Sequence, residues 1–205
     1  MHLVPFLVVS AVVVITPGVD MALVTKNALL HGRRPALATA IGVNVGIMFW
    51  TIAAAVGLAA LIAASQTAFT VIKLCGAVYL VCLGAAALRA SRKRSTASVE
   101  LPPYGQLDGG TALRQGLVSN LLNPKIAVFF TSLLPQFVGH RAGAVDLLAL
   151  GAIFNAMCVL WLACYATVAA RGRAVLARPR FKRALDRLSG AVLIGLGARL
   201  AFERR

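Results

Sequence analysis

Two charged side chains stand where charge is costly. Asp20 is the one acid, of six in the chain, that falls well inside an apolar run, and Lys125 is its counterpart in a second run. A bare charge in such surroundings must be paired, hydrated or, for the acid, protonated. Each follows a cap-then-proline pair: Thr16-Pro17-Gly18-Val19-Asp20 and Asn123-Pro124-Lys125. Thr or Asn before Pro is the grammar of a helix start. Proline has no N–H and its ring clashes with the preceding turn, so each pair breaks the run it sits in. A new half-helix after each break turns free N–H groups and a positive dipole end inward. With Lys125 these suit a carboxylate, while Asp20 suits an ammonium group or carries a proton. Asn44 and Asn155 add neutral hydrogen bonding from neighbouring runs. The candidate binding set is therefore Thr16, Pro17, Gly18, Asp20, Asn44, Asn123, Pro124, Lys125 and Asn155, with no catalytic or metal-ligating residue in it. Plainer readings stand beside this one. Asp20 and Lys125 form a structural ion pair, or Asp20 is a first-turn acid at the positive end of its own half-helix. Each Asn alone suits a helix–helix hydrogen bond, and Gly42 with Gly46 lets helices approach closely.

The elements that position these residues follow from composition. The 205 residues are 60% hydrophobic and 13% charged, with mean hydropathy +0.84, where a soluble domain carries about a quarter charged residues. Several runs reach the roughly 20 residues that cross a bilayer. The expectation is an all-α integral membrane protein with six transmembrane helices near Leu3–Ala28, Pro35–Ala64, Ala68–Leu88, Thr111–Phe137, Val145–Ala170 and Leu185–Phe202, the first and fourth broken at Pro. Residues 1–15 lack a preceding Lys or Arg and a following A-x-A site, so they read as a retained first helix. The net charge of +15 sits in short loops between apolar runs, which disfavours a nucleic-acid partner. Cys75, Cys82, Cys158 and Cys164 lie in apolar runs without CxxC or His spacing and read as small buried hydrophobes.

The chain also repeats. Thr16-Pro17 answers Asn123-Pro124, His31-Gly32-Arg33 answers Gly139-His140-Arg141, and Gly42-Val43-Asn44 answers the segment from Gly151 to Asn155. Lys73-Leu74-Cys75-Gly76 answers Arg187-Leu188-Ser189-Gly190. Three helices per half is an odd number, so the halves are two inverted three-helix repeats. They divide the chain into a first repeat at 1–90, a basic cytoplasmic linker at 91–110 and a second repeat at 111–205. Lys26, Arg33 and Arg34, then Arg89 to Arg94, then Arg171 to Arg183 fill alternate loops. The positive-inside rule makes those loops cytoplasmic.

At these residues the chain resembles a known family. Thr16-Pro17-Gly18 near the end of the first apolar run, then Asn123-Pro124-Lys125 with Phe129-Phe130 and Leu134-Pro135-Gln136-Phe137, looks like the LysE/RhtB exporters, in motif order and over the whole length. The resemblance implies a multi-pass inner-membrane exporter of amino acids or close derivatives, not an enzyme, without a cofactor and driven by the proton motive force. Its partners would be the amino acid, protons and the lipid bilayer, and a homo-oligomer is compatible with it. The family's first motif usually continues Gly-Pro-Asn or Gly-Pro-Asp, whereas here it is Gly18-Val19-Asp20. Because the family accepts Asn at the last position, the resemblance does not itself require a proton on Asp20. Two other readings compete. A membrane thiol–disulfide carrier needs cysteines beside the breaks, where Gly18 and Lys125 stand, and a metal-cation exporter needs clustered ligands that the apolar core does not offer.

Overall fold

The computed structural model describes residues 3–58, 66–93, 104–138, 143–172 and 179–202, and every regular element among them is a helix. Helix α1 (Leu3–Ile15) stops at the first predicted break. The Thr16 hydroxyl and N–H both turn back to the Val12 carbonyl, and Pro17 has no N–H with which to continue the ladder. Gly18, in extended conformation, starts α2 (Val19–His31), and the two helices bend by 44°. Gly32 then takes φ 87°, a left-handed value natural to glycine alone, and the chain enters α3 (Arg33–Ala53) without a loop. A single π turn, Ala54–Leu58, continues it. The predicted end of this helix at Ala64 lies outside the described residues.

Helix α4 covers Gln66–Lys93 and α5 covers Gly109–Leu121. The Asp108 carboxylate caps α5 by accepting from the Thr111 N–H at 3.0 Å. At the second break the Asn123 side chain accepts from the Lys125 N–H at 3.0 Å, and Pro124 opens α6 (Pro124–Val128). The bend here is 48°. The run that follows is not the regular half-helix expected. It widens into a π turn at Phe129–Leu133 and tightens into a 3-10 turn at Leu134–Phe137. Pro135 is the reason: it offers no N–H to the Thr131 carbonyl, so an α ladder cannot pass through it. The chain ends with α7 (Ala144–Arg171) and α8 (Pro179–Phe202).

Two helix ends differ from expectation. Helix α4 runs on from Leu88 through Lys93, so Arg92 and Lys93 belong to a helix and not to the linker, and α8 begins at Pro179 and not at Leu185. Both extensions are rich in Arg and Lys, which are good helix formers but fall outside any apolar run.

Helix α3 is the hub, packing on α2, α5 and α7, while α4 and α8 pack chiefly on each other. Close approach needs small residues. A Cβ on Gly42 would fall on the Leu113 carbonyl, and one on Gly116 on the Thr39 carbonyl. On the outer pair, Gly84 and Gly190 meet in the same reciprocal way. Phe129, Phe130 and Phe154 fill the centre, with Phe129 stacked on Phe154 at 4.4 Å. The outward face of α3 carries Ile41, Val45, Met48, Phe49 and Ile52 exposed at helical spacing. Such a continuous apolar stripe is what a lipid-facing helix presents.

By length and composition, residues 33–57 and Ala144–Arg171 are able to cross a membrane among the described residues, or up to four spans if each bent pair is one. The cysteines correct one expectation: Cys158 is buried, but Cys75, Cys82 and Cys164 are exposed. An apolar residue in a membrane helix can face lipid as readily as protein, so the run it sits in does not fix its burial.

Candidate functional site

The two breaks meet, and each supplies what the other lacks. Proline at position 17 withholds the N–H that would have bonded the Val13 carbonyl, so that carbonyl is left open at the end of α1. The Lys125 ammonium group takes it at 3.1 Å and takes the Thr16 carbonyl at 2.9 Å. Gly18 makes room for this, since a Cβ there would stand 3.2 Å from Lys125 Nζ. In the other direction, Asp20 in the first turn of α2 is received by the second break. Ser119 Oγ donates to its Oδ1 at 2.7 Å, while the amides of Asn120 and Asn123 both donate to Oδ2 at 2.8 Å. Pro124 has its own counterpart effect. It leaves the Asn120 carbonyl without an i+4 donor, and the Asn123 N–H at 3.0 Å and Trp50 Nε1 at 3.4 Å approach it instead.

The cluster is deep. Asp20 is 8% exposed, Asn123 and Thr16 each 2%, and Asn120 not at all. The structural ion pair does not form. Asp20 is satisfied by neutral donors and Lys125 by backbone carbonyls. The carboxylate reaches across to α5 and not back to its own helix end, so the first-turn reading of Asp20 describes its backbone position and not its partners.

Of the residues expected from sequence, Thr16, Pro17, Gly18, Asp20, Asn123, Pro124 and Lys125 come together here. Asn44 and Asn155 do not join their hydrogen bonds. Asn44 Nδ2 donates to the Ala40 carbonyl of its own helix at 2.7 Å, and the side-chain oxygens of both are buried without a partner among the described residues. Sequence reasoning missed Ser119, Asn120 and Trp50. A signal was present for the first two: Ser119-Asn120 lies one turn before Asn123, on the same helical face, in otherwise apolar surroundings. A neutral side chain drew less notice than a charged one.

Further polar contacts line the α2 interfaces. Asn27 Nδ2 bridges Thr39 Oγ1 at 2.7 Å and Gln115 Oε1 at 3.2 Å. Thr25 and Tyr165 share a hydrogen bond of 2.7 Å between α2 and α7. At the ends of these helices, the Gly105 N–H donates to the Leu30 carbonyl, its carbonyl meets His31 Nδ1, and the Tyr104 hydroxyl donates to the Ala170 carbonyl. The ends of α2 and α7 and the start of α5 are thereby gathered at one pole of the molecule.

The two breaks thus exchange a buried acid, Asp20, and a half-buried lysine, Lys125. The model of the LysE type translocator matches residues 11–204. The chain belongs to that family. This LysE-type translocator is 30% identical, over 99% of its length and 100% of the relative's, to an uncharacterized membrane protein, YrhP, of Bacillus subtilis. It is 28% identical to the threonine efflux protein of Escherichia coli K12, over 96% of its own length and 95% of that protein's. It is 29% identical to the homoserine/homoserine lactone efflux protein of Salmonella typhimurium, over 97% and 95%. No solved structure matches it. The translocator is thus a membrane protein of a transporter family, and its relatives include named efflux proteins.

Proposed function

We propose that this protein exports amino acids or close derivatives across the inner membrane by proton antiport, with the clasp between the two breaks as its site. The observation that carries the reading is the reciprocal exchange of Asp20 and Lys125 between the breaks. Two relatives named for threonine efflux and for homoserine and homoserine lactone efflux support the substrate class. Lys125 receives the substrate carboxylate. Asp20 carries the proton, and the Ser119 hydroxyl serves both of its states, because a hydroxyl donates to a carboxylate and accepts from a carboxylic acid. Asn44 and Asn155 bring neutral hydrogen-bonding groups to neighbouring helices. Proton and substrate are coupled locally. A carboxylate arriving at Lys125 draws that positive charge away from Asp20, so the two groups sense one another without a long-range pathway.

The architecture proposed with it has six spans in two inverted repeats, at 1–90 and 111–205, joined by a cytoplasmic linker. The packing of α3 on α7 and of α4 on α8, each a pair the repeat relates, supports this. The gathering of Arg33, Arg34 and Arg171 near one pole supports basic loops on one side, the cytoplasmic one.

Efflux from cells preloaded with labelled amino acids tests the reading. Export should appear with this protein and vanish in Lys125→Met while the protein stays folded. The double variant Asp20→Asn with Lys125→Met should be as inactive as Lys125→Met alone. Recovery of efflux in the double variant would leave the two residues as scaffolding.

A further inference from the structure

The seat that Lys125 occupies has the chemistry of a ligand site. Two backbone carbonyls, Val13 and Thr16, converge on one ammonium nitrogen at 3.1 and 2.9 Å. One of them is open only because Pro17 removes its helical donor, and both stand at the C-terminal, negative end of α1, where a cation is favoured. Gly18 closes the side of the seat without filling it. A structural lysine in a membrane helix would need none of this, since its long stem can carry the charge toward the surface. Here the stem instead carries the charge inward to a seat 109 and 112 residues away in the sequence.

We infer that the carbonyls of Val13 and Thr16 form a binding site for a primary ammonium group, in which Lys125 sits as a tethered stand-in for the α-ammonium of the substrate. The inference rests on the amino-acid reading above and assigns the end of the substrate which that reading left open. On arrival the substrate ammonium takes the two carbonyls. The displaced Lys125 ammonium then meets the carboxylate of the same molecule, one carbon away. At both stages the Lys125 ammonium keeps acceptors, two carbonyls at first and a carboxylate afterwards, so its charge is never left without hydrogen bonds. The exchange also selects for substrate. A molecule with an ammonium group but no neighbouring carboxylate or ester carbonyl to accept from Lys125 would strand it, and an N-acylated amino acid could not displace it.

Removing the tether empties the seat, and a small amine should then refill it. Lys125→Ala and Lys125→Met are purified in detergent, the second keeping the apolar stem in case the first does not fold. Thermal unfolding is followed with methylammonium, with tetramethylammonium as a cation lacking N–H donors, and beside the wild-type protein. The expected result is a saturable rise in Tm with methylammonium in the variants. Tetramethylammonium should give none, and neither cation should raise the wild type, whose seat is full. A variant that shows no rise with methylammonium, or an equal rise in the wild type, overturns the inference. The transport reading stands or falls separately. Normal amino-acid efflux without methylammonium rescue removes the seat alone, whereas rescue without amino-acid efflux leaves an ammonium site and removes the exporter.

Discussion

Asp20→Leu and Asp20→Asn should part widely in stability, and the hydrogen bonds say by how much. Oδ2 of Asp20 receives two amide donors, from Asn120 and Asn123, and Oδ1 receives the Ser119 hydroxyl. An asparagine at this position keeps its oxygen toward the two amides and turns its NH2 to Ser119, whose hydroxyl rotates to accept. Neither of the Asn120 and Asn123 amides is stranded. Three charge-assisted bonds become neutral ones, a loss of about 1 kcal/mol each, and the buried charge that opposed folding is gone, so the net change should be within about 2 kcal/mol. Leucine leaves both amides without an acceptor at a place where Asn120 has no exposure at all. At about 1–3 kcal/mol for each buried unsatisfied group, the cost is about 2–6 kcal/mol. Unfolding in detergent measures the difference, and efflux at several external pH values reads the function. Asp20→Asn should keep some substrate binding and lose the dependence of efflux on external pH. If Asp20→Leu proved as stable as Asp20→Asn, the three hydrogen bonds would not be what holds the breaks together. If Asp20→Asn kept the pH dependence, the proton would travel elsewhere.

Three further outcomes are expected. Pro17→Ala and Pro124→Ala should insert normally, because Ala is favoured over Pro within a helix by about 3 kcal/mol. Each should nevertheless lose efflux, the first by giving the Val13 carbonyl an N–H that competes with Lys125; normal efflux from both would reduce the prolines to incidental kinks. A cysteine placed between Ser91 and Gly110 should be labelled only after the membrane is opened and one at Gln66 from outside, and labelling of both from the same side would remove the inverted repeat. Gly84→Val should separate α4 from α8, since even a Cβ there lies 2.6 Å from the Gly190 carbonyl. Overpacking of that kind costs about 1–3 kcal/mol, seen as a lowered Tm, and an unchanged Tm would mean that the pair is not closely packed in the membrane.

The breaks were legible because proline acts locally. Pro17 and Pro124 end a hydrogen-bond ladder wherever they stand. Asn123 caps the restart as expected, but Thr16 does not: its hydroxyl bonds back to Val12, and Gly18 takes the cap position of α2. What each break reaches for was not legible, because Ser119 and Asn120 meet Asp20 only through the packing of α2 on α5. The irregular stretch from Phe129 to Phe137 was overlooked although Pro135 was in plain view, since an apolar run hides a broken ladder. Asn44 and Asn155 were assigned to the site from their repeat positions alone. Repetition fixes which helix a residue occupies, but not the direction its side chain takes.

The most instructive omission is Val13. A backbone carbonyl has no letter in the sequence, so the partners of Lys125 could not be found by searching for polar residues. They could have been found by asking what each proline releases. A proline at position i frees the carbonyl at i−4, which names Val13 for Pro17 and Asn120 for Pro124. In water such a carbonyl is satisfied at once. In a membrane it must be met by a donor from the protein or by a ligand, and the two breaks meet this demand differently. Asn120 receives neutral donors, the Asn123 N–H and Trp50 Nε1, whereas Val13 receives a full positive charge. That asymmetry between otherwise matched breaks is why the end of α1, and not the end of α5, is the place to look for a charged substrate.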